Sequence, residues 1–60
     1  ESKKDFTHKI RISLKEAKET RYWLELVTEA NIEFQKRIEP LLQESLELIK
    51  IFSSISTKSK

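Results

Sequence analysis

From Tyr22 to Val27 the chain has a single polar residue, Glu25, although charged residues dominate the stretch before it. A helix that is apolar almost all the way round at one end is not satisfied by one neighbour. A single partner helix covers a single face, and the remaining apolar surface needs another cover. Any fold for this chain must supply that cover.

The element type follows from what is missing. There is no glycine and only one proline, and charged and hydrophobic residues each make up 37% of the chain. Strong turn signals are nearly absent, so the sequence predicts few elements, all of them helices. Sixty residues form at most one small domain. Without cysteine there is no disulfide and no thiolate metal ligand. A chain of this size buries a modest part of its surface, so the missing stability is expected from other protein surface. The chain starts at Glu1 and contains no methionine, which reads as a fragment, a processed chain or an incomplete sequence. No stretch approaches the roughly 18 apolar residues of a membrane span, and no signal-peptide core is visible. The expected location is cytoplasmic, with no membrane partner.

Ser2 and Asp5 fit a capping box, with Ser2 as N-cap. Phe6, Ile10, Leu14, Ala17 and Leu24 then fall within an arc of about 80°, a helical core stripe that also contains Ser13 and Arg21. Arg21 is expected at the edge of the stripe or paired with a carboxylate from another helix, with Glu25 one turn on as an ordinary surface partner. A second apolar set, Ile12, Tyr22, Trp23, Leu26 and Val27, lies outside the stripe. The first helix is predicted over about residues 3–28 and the corner over about 29–33, with Asn31 in the left-handed conformation that glycine otherwise supplies. The second helix is predicted over about residues 34–56, with a break or kink near Pro40. Its apolar residues, from Ile38 to Ile55, cover roughly 220° of the helical wheel, too much for one neighbour. A short corner makes the helices antiparallel. The expected fold is all-α: a helical hairpin forming half of an up-down four-helix bundle. Ile12, Tyr22, Trp23, Leu26, Val27, Leu48, Ile51, Phe52 and Ile55 are the expected bundle or oligomer interface.

The net charge of +2 is unevenly spread. The two chain ends carry Lys3, Lys4, Lys9, Arg11, Lys50, Lys58 and Lys60, and an antiparallel hairpin brings them together opposite the corner. These seven are the nucleic-acid candidates, since repeated basic ends attract phosphates. Solvated lysines and helix-dipole complementation explain the same residues without a ligand. Catalytic and metal chemistry have little support. Glu16, Glu19 and His8 lack the paired Glu-x-x-His of di-iron bundles. The serines lack a base, and no glycine-rich phosphate loop is possible. Neither an enzyme nor a cofactor is expected. Tyr22 and Trp23 could stack on bases, but in a leucine-rich helical setting they read as packing anchors.

Residues 2–9, Ser-Lys-Lys-Asp-Phe-Thr-His-Lys, and the Lys15-Glu16-Ala17-Lys18-Glu19-Thr20-Arg21-Tyr22-Trp23-Leu24 run resemble the four helix bundle protein family. Its members are also called 23S rRNA intervening-sequence proteins, because some are encoded within insertions in bacterial large-subunit rRNA genes. Residues 44–55 resemble that family's last helix. The resemblance implies a pentamer of four-helix bundles in which this chain supplies only the third and fourth helices. A relative, the accessory protein of diversity-generating retroelements, is a similar bundle that binds nucleic acid. The expected function is therefore a non-catalytic, self-assembling bundle protein with RNA or DNA as candidate ligands at the basic end. The alternatives are a structural or protein-partner adaptor that binds no nucleic acid, and a toxin–antitoxin-like or regulatory hairpin that folds on its partner.

Overall fold

The computed structural model describes residues 2–58, and Lys60 of the basic candidates lies outside them. Helix α1 spans Lys3–Ala30, a 3₁₀ turn spans Ile32–Phe34, and helix α2 spans Gln35–Lys58. Among the described residues only Ser2 and Asn31 are outside helices. The two long helices pack side by side as an antiparallel hairpin.

Each boundary has a local cause. The Ser2 hydroxyl accepts from the Asp5 N–H at 3.1 Å, and the Ser2 carbonyl accepts from Phe6 at 3.0 Å. The first satisfies one of the orphan amides at the start of α1, and the second is the first regular hydrogen bond of the helix. At the corner, Asn31 is not left-handed. Its φ of −149° and ψ of 101° are extended. Its N–H closes α1 on the Val27 carbonyl at 3.0 Å, while its side-chain oxygen accepts from Glu33 at 3.1 Å and starts the next turn. One asparagine thus ends one helix and caps the next. A left-handed residue is unnecessary because the 3₁₀ turn makes the reversal.

Pro40 is the sixth residue of a continuous α2, and the separate turn lies earlier, at Ile32–Phe34. Proline removes the amide that would reach the Lys36 carbonyl. Lys36 is exposed, so water can take that acceptor.

The contact between the helices is one regular seam. On α1 it comprises Ile10, Leu14, Ala17, Arg21, Leu24 and Thr28, and on α2 Ile38, Leu42, Ser45, Ile49, Phe52 and Ser56. Every one is buried or half-buried. The alternating steps of four and three are the spacing of knobs-into-holes packing. Among the described residues only Ala17, Ile38 and Ser45 are buried, and none of them completely. The small side chains of Ala17 and Ser45 permit close approach of the backbones. The Ser45 hydroxyl donates to the Leu42 carbonyl at 2.8 Å and Thr28 donates to the Leu24 carbonyl at 3.0 Å, so these two seam hydroxyls each have a partner.

The result is a rod 45 Å long and 15 Å wide with a radius of gyration of 14.0 Å. A compact chain of this length would have about 10 Å. Its accessible surface is 4992 Å², against about 4,100 Å² expected for a compact chain of its mass.

Ser45→Leu tests the seam. Forcing a larger side chain into the closest approach should cost about 1–3 kcal/mol, read as a lower urea midpoint by circular dichroism. Ser54→Leu, at an exposed position, should stay within about 0.5 kcal/mol of the parent.

Candidate interaction surfaces

Two surfaces remain once the seam is formed. Their positions follow from the helical wheel at about 100° per residue. Ile12, Trp23 and Val27 lie about 130° from the α1 seam, while Leu41, Leu48, Ile51 and Ile55 lie about 95° from the α2 seam. Both offsets run in the same rotational sense. In an antiparallel pair of right-handed helices, that places both sets on the same side of the hairpin. Trp23 is 61% exposed, Ile51 52%, and Ile12, Val27, Leu41 and Leu48 are each more than two-fifths exposed. This is an uncovered, largely apolar face running most of the length of the rod, with Glu16, Thr20 and Glu44 exposed on the same side by their wheel positions.

The nine expected interface residues divide in the structure. Ile12, Trp23, Val27, Leu48 and Ile51 are exposed on this face, and Ile55 joins it half-buried. Phe52 belongs to the seam between α1 and α2. Tyr22 and Leu26 turn toward the opposite side, so the second apolar set of α1 is two sets. The Tyr22 and Trp23 rings nevertheless touch edge to face, with centroids 5.7 Å apart and planes at 69°. Phe6, expected in the core stripe, stays 45% exposed at the open end.

The opposite side of α1 carries a basic row. Lys4, Arg11, Lys15 and Lys18 fall within an arc of about 60°. Arg11, Lys15 and Lys18 border an open groove of about 450 Å³ whose other walls are Leu14, Glu19 and Tyr22. Counting back from Ala30 and forward from Gln35 puts Lys50 level with Lys15, and its wheel position places it on the same side. Lys3, Lys4, Lys9, Arg11, Lys50 and Lys58 are all exposed toward the open half of the hairpin. Lys9, however, falls on the apolar side by its wheel position. Lys15 and Lys18 were absent from the sequence candidates because they lie inside a segment of net negative charge. The i, i+4, i+7 spacing from Arg11 is the signal that finds them.

Arg21 continues this side into the seam. Its Nε is buried and meets the Glu25 carboxylate at 3.3 Å as an ion pair, without hydrogen-bond geometry. The carboxylate comes from the next turn of the same helix. Both side chains are more than two-fifths exposed, so the pair contributes little to stability. Among the described residues, no three or more of His, Cys, Asp and Glu gather as a metal site. No described helix is long and apolar enough to cross a membrane.

No protein-family model matches the chain, and neither does any curated protein sequence or any solved structure.

Trp23 is outside the seam, so the hairpin itself should tolerate its loss. Trp23→Ala should leave the helical content unchanged and cost the single chain less than about 1 kcal/mol, against the 3–5 of a core tryptophan. Far-ultraviolet circular dichroism at low micromolar concentration reads this directly. A collapse of the helical signal would place Trp23 in the core.

Proposed function

We propose that this chain is a non-catalytic, self-assembling helical-bundle module of the rRNA intervening-sequence type, whose basic side contacts nucleic-acid phosphates. The observation that carries the reading is the exposed face of Ile12, Trp23, Val27, Leu41, Leu48 and Ile51. An apolar strip of this length is costly in water, and association removes it. A second hairpin laid on it completes a four-helix bundle. The resemblance in the Lys15–Leu24 run adds the rRNA connection and implies five subunits.

The nucleic-acid part rests on the basic row. Covering the apolar face leaves Lys4, Arg11, Lys15, Lys18 and Lys50 pointing outward, and assembly repeats the row around the particle. Repetition matters because each row alone offers few phosphate contacts and weak affinity, whereas linked rows bind with a raised effective concentration.

The assembly reading predicts a mass above that of one chain in sedimentation equilibrium at 10–100 µM (about the range in which modest interfaces populate their complexes). Trp23→Ala should weaken that association by about 2 kcal/mol or more, roughly thirtyfold in Kd. A particle that sediments as a single 7.2 kDa chain throughout would overturn the reading. For nucleic acid, titrating an rRNA hairpin and an unrelated duplex across a salt series should give a log–log slope near −4, for about four or five phosphate contacts. Lys15→Glu with Lys18→Glu should remove about two units of that slope. Assembly without binding at moderate salt would favour the structural or protein-partner adaptor.

A further inference from the structure

We infer that the basic groove of α1 receives unpaired nucleic acid, with one base stacked on the ring of Tyr22. The inference rests on the phosphate-contact reading and names the form of nucleic acid that the site prefers. On the helical wheel Tyr22 lies at the centre of the arc that holds Lys4, Arg11, Lys15 and Lys18. It follows Lys18 by four residues and Lys15 by seven, one and two turns on.

Tyr22 is 58% exposed, and neither the hairpin nor the proposed assembly covers it. The seam lies about 120° away on the wheel, and the apolar face lies on the other side of α1 with Trp23. The surroundings of Tyr22 are instead Arg11, Lys15 and Lys18, with Leu14 and Glu19 completing the groove. Tyr22 and Lys18 also border a second open groove of about 320 Å³, lined further by Arg21, Glu25 and Ile49. The ring therefore has open space on two flanks. Its edge-to-face contact with Trp23 fixes its tilt and covers at most one of its faces.

A cationic row alone attracts any polyanion, and the aromatic ring selects among them. In a duplex the bases stack on one another, so their faces are out of reach. A single strand offers phosphates to Arg11, Lys15 and Lys18 and a flat base to Tyr22, the combination of charge and stacking that single-strand sites use. An acidic peptide satisfies the cations but brings no regular aromatic face, whereas every nucleotide brings one phosphate and one base.

The same face of α1 changes sign at Tyr22. Lys4, Arg11, Lys15 and Lys18 precede it, with Glu19 at the margin of the groove. Glu25, which pairs with Arg21, and Glu29 follow, both exposed and within about 60° of the Tyr22 direction. The phosphate path thus lies on the open-end side of Tyr22, over about 27 Å from Lys4. The stacked base is its last contact before the acidic half.

Fluorescence anisotropy tests this with an unstructured RNA of about twelve nucleotides, alone and in its duplex, a length within the roughly 4–16 of single-strand sites. At about 150 mM salt, where the phosphate contribution is weakened, the single strand should bind at least about threefold more tightly. Tyr22→Leu keeps an apolar, helix-favouring side chain and removes the flat ring. It should weaken the single strand about tenfold, in the range of one base stacked on an aromatic, and leave its salt slope unchanged. Tyr22→Phe should bind like the parent, and unchanged duplex binding by both variants is the internal check on folding. Equal affinity for the duplex, or a Tyr22→Leu effect that is absent or the same on both forms, overturns the stacked base and leaves phosphate contact standing. A polyglutamate peptide of equal charge that competes as well as the RNA assigns the groove to an acidic protein segment and overturns both. If neither nucleic acid binds at low salt, both readings also fall.

Discussion

Ala17 and Ser45, buried on the facing sides of the two helices, let the backbones approach closely, and most other features of the molecule follow from that approach. Small side chains at the middle of the seam bring the backbones together. The larger residues on either side, Ile10, Leu14, Leu42, Ile49 and Phe52, then pack edgeways and stay half-buried rather than enclosed. A close, narrow seam hides little apolar area per residue. The hairpin therefore specifies its own pairing strongly while covering its hydrophobic surface weakly. Specification comes from the alternation of steps of four and three on both helices. A one-residue slip would put the steps of the two helices out of register.

This separation of pairing from burial explains why the rod has a face left over. In a larger domain the same side chains would be drawn into one core, but two helices enclose only the line between them. Leu41, Leu48 and Ile51 turn about 95° from that line, which is where a third and fourth helix stand in a bundle. The second face is therefore where a bundle neighbour would pack, and it differs from the scattered single apolar residues found on most surfaces.

The helical hairpin could be read from the sequence because its signals are local. The Ser2 cap, the Ile10–Leu14–Ala17–Leu24 row and the absence of glycine all act within one element. The corner was harder. Asn31 is suited to a left-handed cap, but the choice between that and an extended residue capping a 3₁₀ turn depends on where α2 must land to reach the seam. That is a tertiary demand, and it also carries Pro40 into the body of α2. The surfaces were legible only in part. Periodicity identified the apolar residues of α1 outside the core stripe, but which side each occupies depends on where the partner helix sits. Tyr22 and Leu26 therefore parted from Trp23 and Val27 only once the hairpin was formed. Likewise the basic row through Lys15 and Lys18 was hidden by counting charge along the chain. Charge along a helix acts by face, and Glu16 lies about 100° from Lys15 and about 160° from Lys18 on the wheel.

The placement of these features on opposite sides has a physical consequence for assembly. Lysine and arginine repel when brought together, and a basic row within the apolar contact would oppose association by desolvation as well as by repulsion. With Lys4, Arg11, Lys15, Lys18 and Lys50 on the far side, hairpins can close their apolar faces while each basic row stays hydrated. In the proposed assembly the rows of two paired hairpins would lie on opposite outer surfaces, separated by at least two rod thicknesses of 14–15 Å. That exceeds the roughly 8 Å Debye length at physiological salt, so the rows hardly feel each other. Apolar closure and phosphate attraction can therefore operate as independent terms in one small chain, the first insensitive to salt and the second strongly weakened by it.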